Sequence, residues 1–371
     1  MQSCDALIVG AGPAGSSCAR ALVREGLDAL VLDQKPFPRD KVCAGWVTPA
    51  VLESLEIDAA DYAGSRVLQP ITGFRTGLIG GSEVETRYRR EVSYGIRRCE
   101  FDDYLLARSG ARTRLGEPLR SVERRGDGWI ANGEIATPLL IGAGGHFCPV
   151  ARRLGGRSSA AGRVIAAKEI EFAMDPAQQQ ACRVQGHTPE LFFCGDFKGY
   201  GWCFRKGSYL NIGLGREDSR GLSEHLDDFC EFLARRGKIP AGVPDRFHGH
   251  AYLLHGHGTR TLYGEGVLLI GDAAGLAYPQ SGEGIRPAVE SGLLAAATVI
   301  QARRDYRAER LAPYAQRLHA RMGSSRPSQR VLPAGLQRFI GSVLLSSAWF
   351  TRHVVLDRWF LHARQSALLA C

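Results

Sequence analysis

The stretch "DALIVGAGPAGSSCARALVREGLDALVLD", residues 5–33, constrains this chain more than any other. An apolar run from Ala6 to Val9 enters a glycine turn, helical spacing from Pro13 to Glu25 stops at Gly26, and Ala29 to Leu32 form a second apolar run. Short continuous apolar runs are what strands buried on both faces of a parallel sheet require, so the stretch reads as one βαβ unit. Gly10, Gly12 and Gly15 form GxGxxG around Ala14. Gly10 makes the tight turn, Gly12 lets the backbone approach a pyrophosphate, and Gly15 lets helix pack on strand. The helix N-terminus then offers N–H groups and a positive dipole end to phosphate. Asp33, 18 residues past Gly15, is placed to bond a ribose hydroxyl. It would repel a 2′-phosphate, so FAD or NAD suits this first site better than NADP.

The same logic recurs in "GVLLIGDAAGLAYPQSGEGIRPAVESGLLAAATVIQA", where a strand from Val267 to Ile270 runs into Gly271, Asp272, a glycine-bearing loop and a long alanine-rich helix. Here the sequence resembles the flavoprotein family that contains the aromatic hydroxylases and the geranylgeranyl reductases. The resemblance implies that Asp272 contacts the ribityl and pyrophosphate portion of FAD, and that the loop bearing Pro279, Gly282 and Gly284 passes beside the isoalloxazine. Standing alone, Asp272 reads as a helix N-cap or turn residue. "YGIRRCEFDDYLLARSGA" is similar to the family's R-x-x-[FL]-D-x-x-L segment, with Arg98 and Asp102 in place. The resemblance sends Arg98 toward the cofactor. The pattern alone allows a surface arginine ahead of an amphipathic helix whose Phe101, Leu105 and Leu106 are core. The family's G-A-D-G motif is represented by "GAGG", with Gly144 where the aspartate is expected. That leaves the electron donor open between NAD(P)H and a protein carrier.

Two further strings bear on a substrate. "YGWCFRKGSYLNIGLG" resembles the geranylgeranyl reductase pattern Y-x-W-x-F-P followed by G-x-G, with Tyr200, Trp202, Phe204, Gly213 and Gly215 in place and Arg205 for the proline. Alternate strand residues share a side, so the three aromatics would line one wall for a lipophilic substrate, or serve as ordinary sheet core. "FPRDKVCAGWVTPAVLESL" is similar to P-R-x-K-x-C-G-G-G-x-x-x-P-x-x-L, keeping Lys41, Cys43, Gly45 and Pro49, with Ala44 and Trp46 replacing glycines. The resemblance places Lys41 with the cofactor and Cys43 beside the flavin, as proton donor or as lining, and the bulk of Trp46 narrows the substrate space.

The expected fold is α/β: a glutathione-reductase-like FAD-binding fold with an inserted, mostly antiparallel β-sheet substrate domain and a helical C-terminus. The FAD-binding domain would comprise residues 1–64, 93–163 and 263–325, the substrate domain 65–92 and 164–262, and the helical segment 326–371. A net charge of +9 favours phosphate or an anionic membrane, and no RNP-like motif, zinc-finger spacing or lysine-rich arm points to nucleic acid. Ten cysteines without a CxxC pair, and no export signal at the N-terminus, imply a reduced, cytoplasmic setting. His248, His250, His255 and His257 read as solvent-facing or edge residues rather than a metal site. "FIGSVLLSSAWFT", between Arg338 and Arg352, is shorter than the about 20 residues that span a bilayer. It is either a helical cap or an interfacial helix giving peripheral membrane contact. The function implied is an FAD-dependent oxidoreductase reducing C=C bonds of an isoprenoid or other lipophilic small molecule. Alternatives are a monooxygenase that hydroxylates an aromatic or polyketide-like substrate with NAD(P)H and O2, and a non-catalytic flavin-binding electron or lipid carrier.

Overall fold

The computed structural model describes residues 1–154, 164–256, 260–323 and 334–369. Its first βαβ unit is the strand Ala6–Val9, the helix Pro13–Arg24 and the strand Ala29–Asp33. These strands occupy the centre of a six-stranded sheet ordered Tyr263–Gly264, Val267–Leu269, Leu140–Gly142, Ala6–Val9, Ala29–Asp33, Arg112–Leu115. All neighbours run parallel except the first pair. The central strands are buried throughout, which is why they read as unbroken apolar runs. Packed against this sheet, Gly292 of the helix Ile285–Ala302 lies so close to the Ala14 carbonyl that a Cβ there would overlap it. The two helices that follow glycine turns therefore meet each other, and both turns face one chamber.

A second sheet has seven strands in the order His248–Leu253, Val164–Ala173, Tyr209–Arg216, Gly199–Lys206, Glu190–Phe193, Gly73–Leu78, Glu83–Arg87. Its pairs are antiparallel except Glu190–Phe193 with Gly73–Leu78. Alternation divides its faces. Cys203 and Ile212 pack with Phe229 of the helix Leu222–Arg235, whereas Trp202, Phe204 and Tyr200 turn the other way. Trp202 pairs with Gly213 and Tyr200 with Gly215 across the strands. A Cβ on Gly213 would run into the Trp202 ring, so the first glycine of "NIGLG" makes room for the aromatic opposite.

The end of the chain joins the two sheets. After the helix Ala334–Leu345 comes the helix Ala348–Phe350, then a π-type helix, Thr351–Phe360, and an irregular strap. Leu345, Val355, Leu356 and Phe360 pack into one cluster with Trp46, Phe74 and Phe204. Farther along, Arg286 donates through Nη2 to the Gln365 and Ser366 carbonyls at 2.7 and 2.9 Å. The Leu368 amide then reaches Ser54 Oγ at 3.0 Å. No single helix among the described residues is long and apolar enough to cross a membrane, although Arg338–Leu345 and Ala348–Phe360 form a pair bent by 84° that has the length and composition.

Candidate functional site

The chamber starts at the βαβ turn. Gly10, at φ +114°, could carry a Cβ only by overlapping the backbone of Ala143, and a Cβ on Gly15 would overlap the Gly10 carbonyl. Both glycines thus serve the turn itself. Gly12 differs, because the nearest atom to its Cβ position is Arg39 Nη2 at 3.6 Å. It caps the helix Pro13–Arg24 without any side-chain bond to the free amides. From this turn a cavity of 640 Å³ extends to the seven-stranded sheet.

Gly10, Gly12, Ala14, Asp33, Lys41, Arg98, Asp272, Gly282 and Gly284 all line that cavity, and so do Cys43, Trp46, Tyr200 and Trp202. Gly15, Pro279 and Phe204 do not. Phe204 stands one layer back, with its ring centroid 5.6 Å from that of Trp46. Asp33 accepts the Ala11 amide at 2.8 Å and the Lys35 amide at 2.9 Å, which fixes its carboxylate at the end of the second strand. Arg98 is not a surface residue: it is 9% exposed and forks onto Asp102 with two bonds of 2.8 Å. Cys43 is near enough for its charge state to bear on the guanidinium.

Asp272 belongs to a cluster. His250 Nε2 lies 3.7 Å from its carboxylate and 2.7 Å from Lys41 Nζ. Burial, with the nearby Lys41 charge, drives His250 below its ordinary pKa against the pull of Asp272, so the imidazole is neutral at neutral pH. Burial also brings the Lys41 ammonium down to about 8, although Asp272 holds it up. For Asp272 burial acts upward, and the adjacent His250 with the Lys41 and Arg98 charges outweighs it, leaving the carboxyl below its usual range. His250 thus stands on an edge strand, as its sequence context implied, but turns into the cavity rather than to solvent. His248, His250 and Tyr252 share one side of the strand His248–Leu253; His250 and Tyr252 line the cavity, and His248, where the strand starts, is exposed beyond it. His255 lies outside the cavity lining, its ring 6.5 Å from that of His319, and His257 falls outside the described residues. Among the described residues no group of three or more His, Cys, Asp or Glu could hold a metal.

Cys43 is held from behind. Asn211 Nδ2 donates to the Cys43 carbonyl at 3.1 Å and to Glu169 at 2.5 Å, while its Oδ1 accepts Trp202 Nε1 at 2.8 Å. One amide thus ties the cysteine turn to the aromatic wall, and neither the spacing nor the composition of "YLNIGLG" marks it. On the far side, Phe360 of the C-terminal π-type helix lines the cavity and stacks on Trp46, with centroids 5.5 Å apart at 22°. Tyr200 Oη donates to the Ser281 carbonyl at 2.5 Å and Tyr252 Oη presses on Gly282, so two sheet tyrosines pin the loop that leads into the helix Ile285–Ala302.

Comparison with known proteins agrees with this construction. A family model described as an NAD(P)-binding Rossmann-like domain matches residues 8–42. The chain is 27% identical over 345 residues to digeranylgeranylglycerophospholipid reductase 3 of Methanosphaera stadtmanae, covering 86% of this chain and 83% of that protein. Among solved structures, a geranylgeranyl bacteriochlorophyll reductase-like protein from Thermoplasma acidophilum shares the fold with a TM-score of 0.73 at 22% identity, over 93% of this chain and 88% of that one. With menaquinone reductase of Mycobacterium tuberculosis the identity is 31% over 315 residues, 79% of this chain and 76% of the relative. An α/β chain that carries the glycine turn, the Asp272 loop and the aromatic sheet at that level of identity belongs to the geranylgeranyl reductase family of FAD-dependent oxidoreductases.

Proposed function

We propose that this protein binds FAD in the chamber and reduces carbon–carbon double bonds of an isoprenoid or isoprenoid-bearing lipid. The observation that carries the proposal is the continuity of one cavity from the Gly10–Gly12 turn to an aromatic wall of Trp46, Tyr200, Trp202 and Phe360. Such a wall suits a long apolar substrate better than a small polar acid. Two relatives are named as reductases of a digeranylgeranylglycerophospholipid and of menaquinone.

The residues present fit FAD. The open space at Gly12, the uncapped helix amides and the Arg39 guanidinium suit a pyrophosphate, and Asp33 suits a ribose hydroxyl. Lys41, Asp272 and Arg98 would hold the ribityl and ring end, with the loop through Gly282 and Gly284 beside the ring. In this arrangement residues 1–64, 93–163 and 263–325 form the nucleotide unit, and 65–92 with 164–262 form the substrate unit. Bound FAD supplies hydride transfer at its ring. The protein positions the reacting carbons against the pinned 278–284 loop, and Trp46, Trp202 and Phe360 exclude water from them. Cys43 lines the chamber between the Arg98 guanidinium and the Asn211 amide. Without an aspartate at Gly144, the electron donor is NAD(P)H or a protein carrier.

An anaerobic assay tests the function. Protein photoreduced with its flavin, then mixed with a digeranylgeranylglycerophospholipid or with menaquinone in micelles, is expected to yield a product heavier by two hydrogens and to return the flavin to its oxidised spectrum. Substrate-dependent oxygen uptake with an oxygenated product would instead establish the monooxygenase. Reduced flavin that no alkene or quinone reoxidises would leave a carrier.

The lipid is met at a membrane through the C-terminal helices. Phe339, Ile340, Val343, Leu344 and Trp349 are exposed there, Phe339 to 69% and Trp349 to 67%, and the exposed Arg338 and Arg352 flank them. An apolar stripe between cations suits the surface of an anionic bilayer. Burying each aromatic contributes about 1.5–3 kcal/mol. The double variant Phe339→Ser, Trp349→Ser is accordingly expected to sediment with phosphatidylserine vesicles ~10²-fold more weakly while keeping its flavin. Unchanged sedimentation rules this contact out.

A further inference from the structure

Saturating a double bond takes a proton as well as a hydride, and the chamber holds a carboxyl placed to give one. Glu283 stands in the loop before the helix Ile285–Ala302 and lines the chamber. Its Oε1 accepts the Arg286 amide at 2.8 Å, and its Oε2 is buried with no hydrogen-bond partner among the described residues. The Arg286 guanidinium is spent elsewhere, on Glu290 and the C-terminal carbonyls, and Glu283 forms no ion pair among the described residues. A buried carboxylate with an idle oxygen bears an uncompensated desolvation cost. The same oxygen carrying a proton avoids that cost and becomes a donor, on a residue that lines the chamber.

We propose that Glu283 is the proton donor in double-bond reduction, a role that rests on the function proposed above. One alkene carbon gains a C–H bond from the hydride of the reduced cofactor. The π electron pair takes the Glu283 proton at the adjacent carbon, and water reprotonates the carboxylate. One hydride and one proton enter, and a saturated bond and an oxidised cofactor leave.

The groups around Glu283 favour this acid over its neighbours. Burial lifts its carboxyl to about 7, with the Arg286 amide and guanidinium pulling down and Glu290 pushing up. From the sheet, Tyr200 and Tyr252 are raised by burial far enough to hold their protons at neutral pH. From the strap, burial lowers His362, whose ring centroid lies 3.8 Å from that of Tyr278, to about 4, so it carries no charge there. Tyr278, on the same loop, is likewise raised by burial. Asp272, 3.3 Å from the Cβ position of Gly284, is held ionised by His250, Lys41 and Arg98. Lys41 is engaged with His250.

Glu283→Gln keeps the side-chain size and the Arg286 amide bond. In the anaerobic assay with the same lipid, reoxidation of the flavin by the alkene is expected to slow by ~10²–10⁴-fold, the usual contribution of a positioned acid. In the unmodified protein the rate falls as pH rises through about 7, because the carboxyl loses its proton, whereas in the variant that fall disappears. Infrared difference spectra of the resting protein across the same range should show a carboxylic-acid C=O band that Glu283→Gln removes, a readout independent of turnover and of FAD loading. A variant with unchanged rate and pH profile overturns this assignment alone, as does a resting protein without the band at pH 6. Unmodified protein that reduces no alkene overturns the assignment together with the function above.

Discussion

Gly12→Val folds, melts close to the unmodified protein and loses its flavin. Gly12 sits at φ −73°, ψ −175°, extended backbone that valine adopts readily, and its Cβ would meet nothing closer than Arg39 Nη2 at 3.6 Å. A Cβ that meets no packed neighbour keeps the cost to that of an N-cap less suited to valine than to glycine, about 1 kcal/mol. The added methyls project into the space proposed for the pyrophosphate, where they hold the phosphates off the helix amides. Losing two hydrogen bonds to charged oxygens, at about 1.5–3 kcal/mol each, weakens FAD by ~10²–10⁴-fold. Titration of the apoprotein with FAD by fluorescence, beside a thermal melt, checks both halves. A Gly12→Val protein that keeps its flavin refutes the placement of the pyrophosphate. Gly15→Val is the control that fails differently, because its side chain would overlap the Gly10 carbonyl and disturb the fold itself.

Arg286→Met is expected to destabilise the protein by about 3 kcal/mol and to free the C-terminal strap. Arg286 and Glu290 are each 1% exposed and share a bond of 2.8 Å. Removing one partner of a buried pair leaves the other charge uncompensated, at a cost of about 3–5 kcal/mol. The lower end applies because Arg321 still reaches Glu290 at 2.6 Å. The Gln365 and Ser366 carbonyls lose their Arg286 donor in the same stroke, and Phe360 sits upstream on the same strap. Urea denaturation reads the stability. Hydrogen exchange over residues 351–369 reads the strap, and protection there equal to that of the unmodified protein would mean that Arg286 does not hold it.

The cofactor half of the molecule was legible because its signals are local. Strands buried on both faces must be continuous apolar runs, and the turn between Val9 and Pro13 admits only glycine where backbone crosses backbone at Gly10. Gly10, Gly12, Asp33 and Asp272 could therefore be picked out from segments shorter than forty residues, and all four line the chamber. The aromatic strand was legible for a related reason, since a period of two fixes which side chains share a face. It put the three aromatics on one face; Tyr200 and Trp202 line the cavity, while Phe204 lies behind Trp46, a depth that periodicity does not encode.

Tertiary structure alone decided the rest, because each remaining contact joins residues far apart in the chain through side chains without a shared pattern. His250 meets Lys41 across 209 positions, and Asn211 meets the Cys43 carbonyl across 168. Thr351–Phe360 follows neither the helical nor the strand period, since a π-type helix bonds each residue to the fifth along. Its sequence thus gave no hint that Phe360 closes the chamber over Trp46. By itself the sequence determined the nucleotide turn and the face of the aromatic strand, where backbone geometry restricts residue type. Only the fold decided which charges surround Asp272, which carboxyl oxygen goes without a partner among the described residues and which segment roofs the chamber, because burial and long-range proximity are properties of the packed chain.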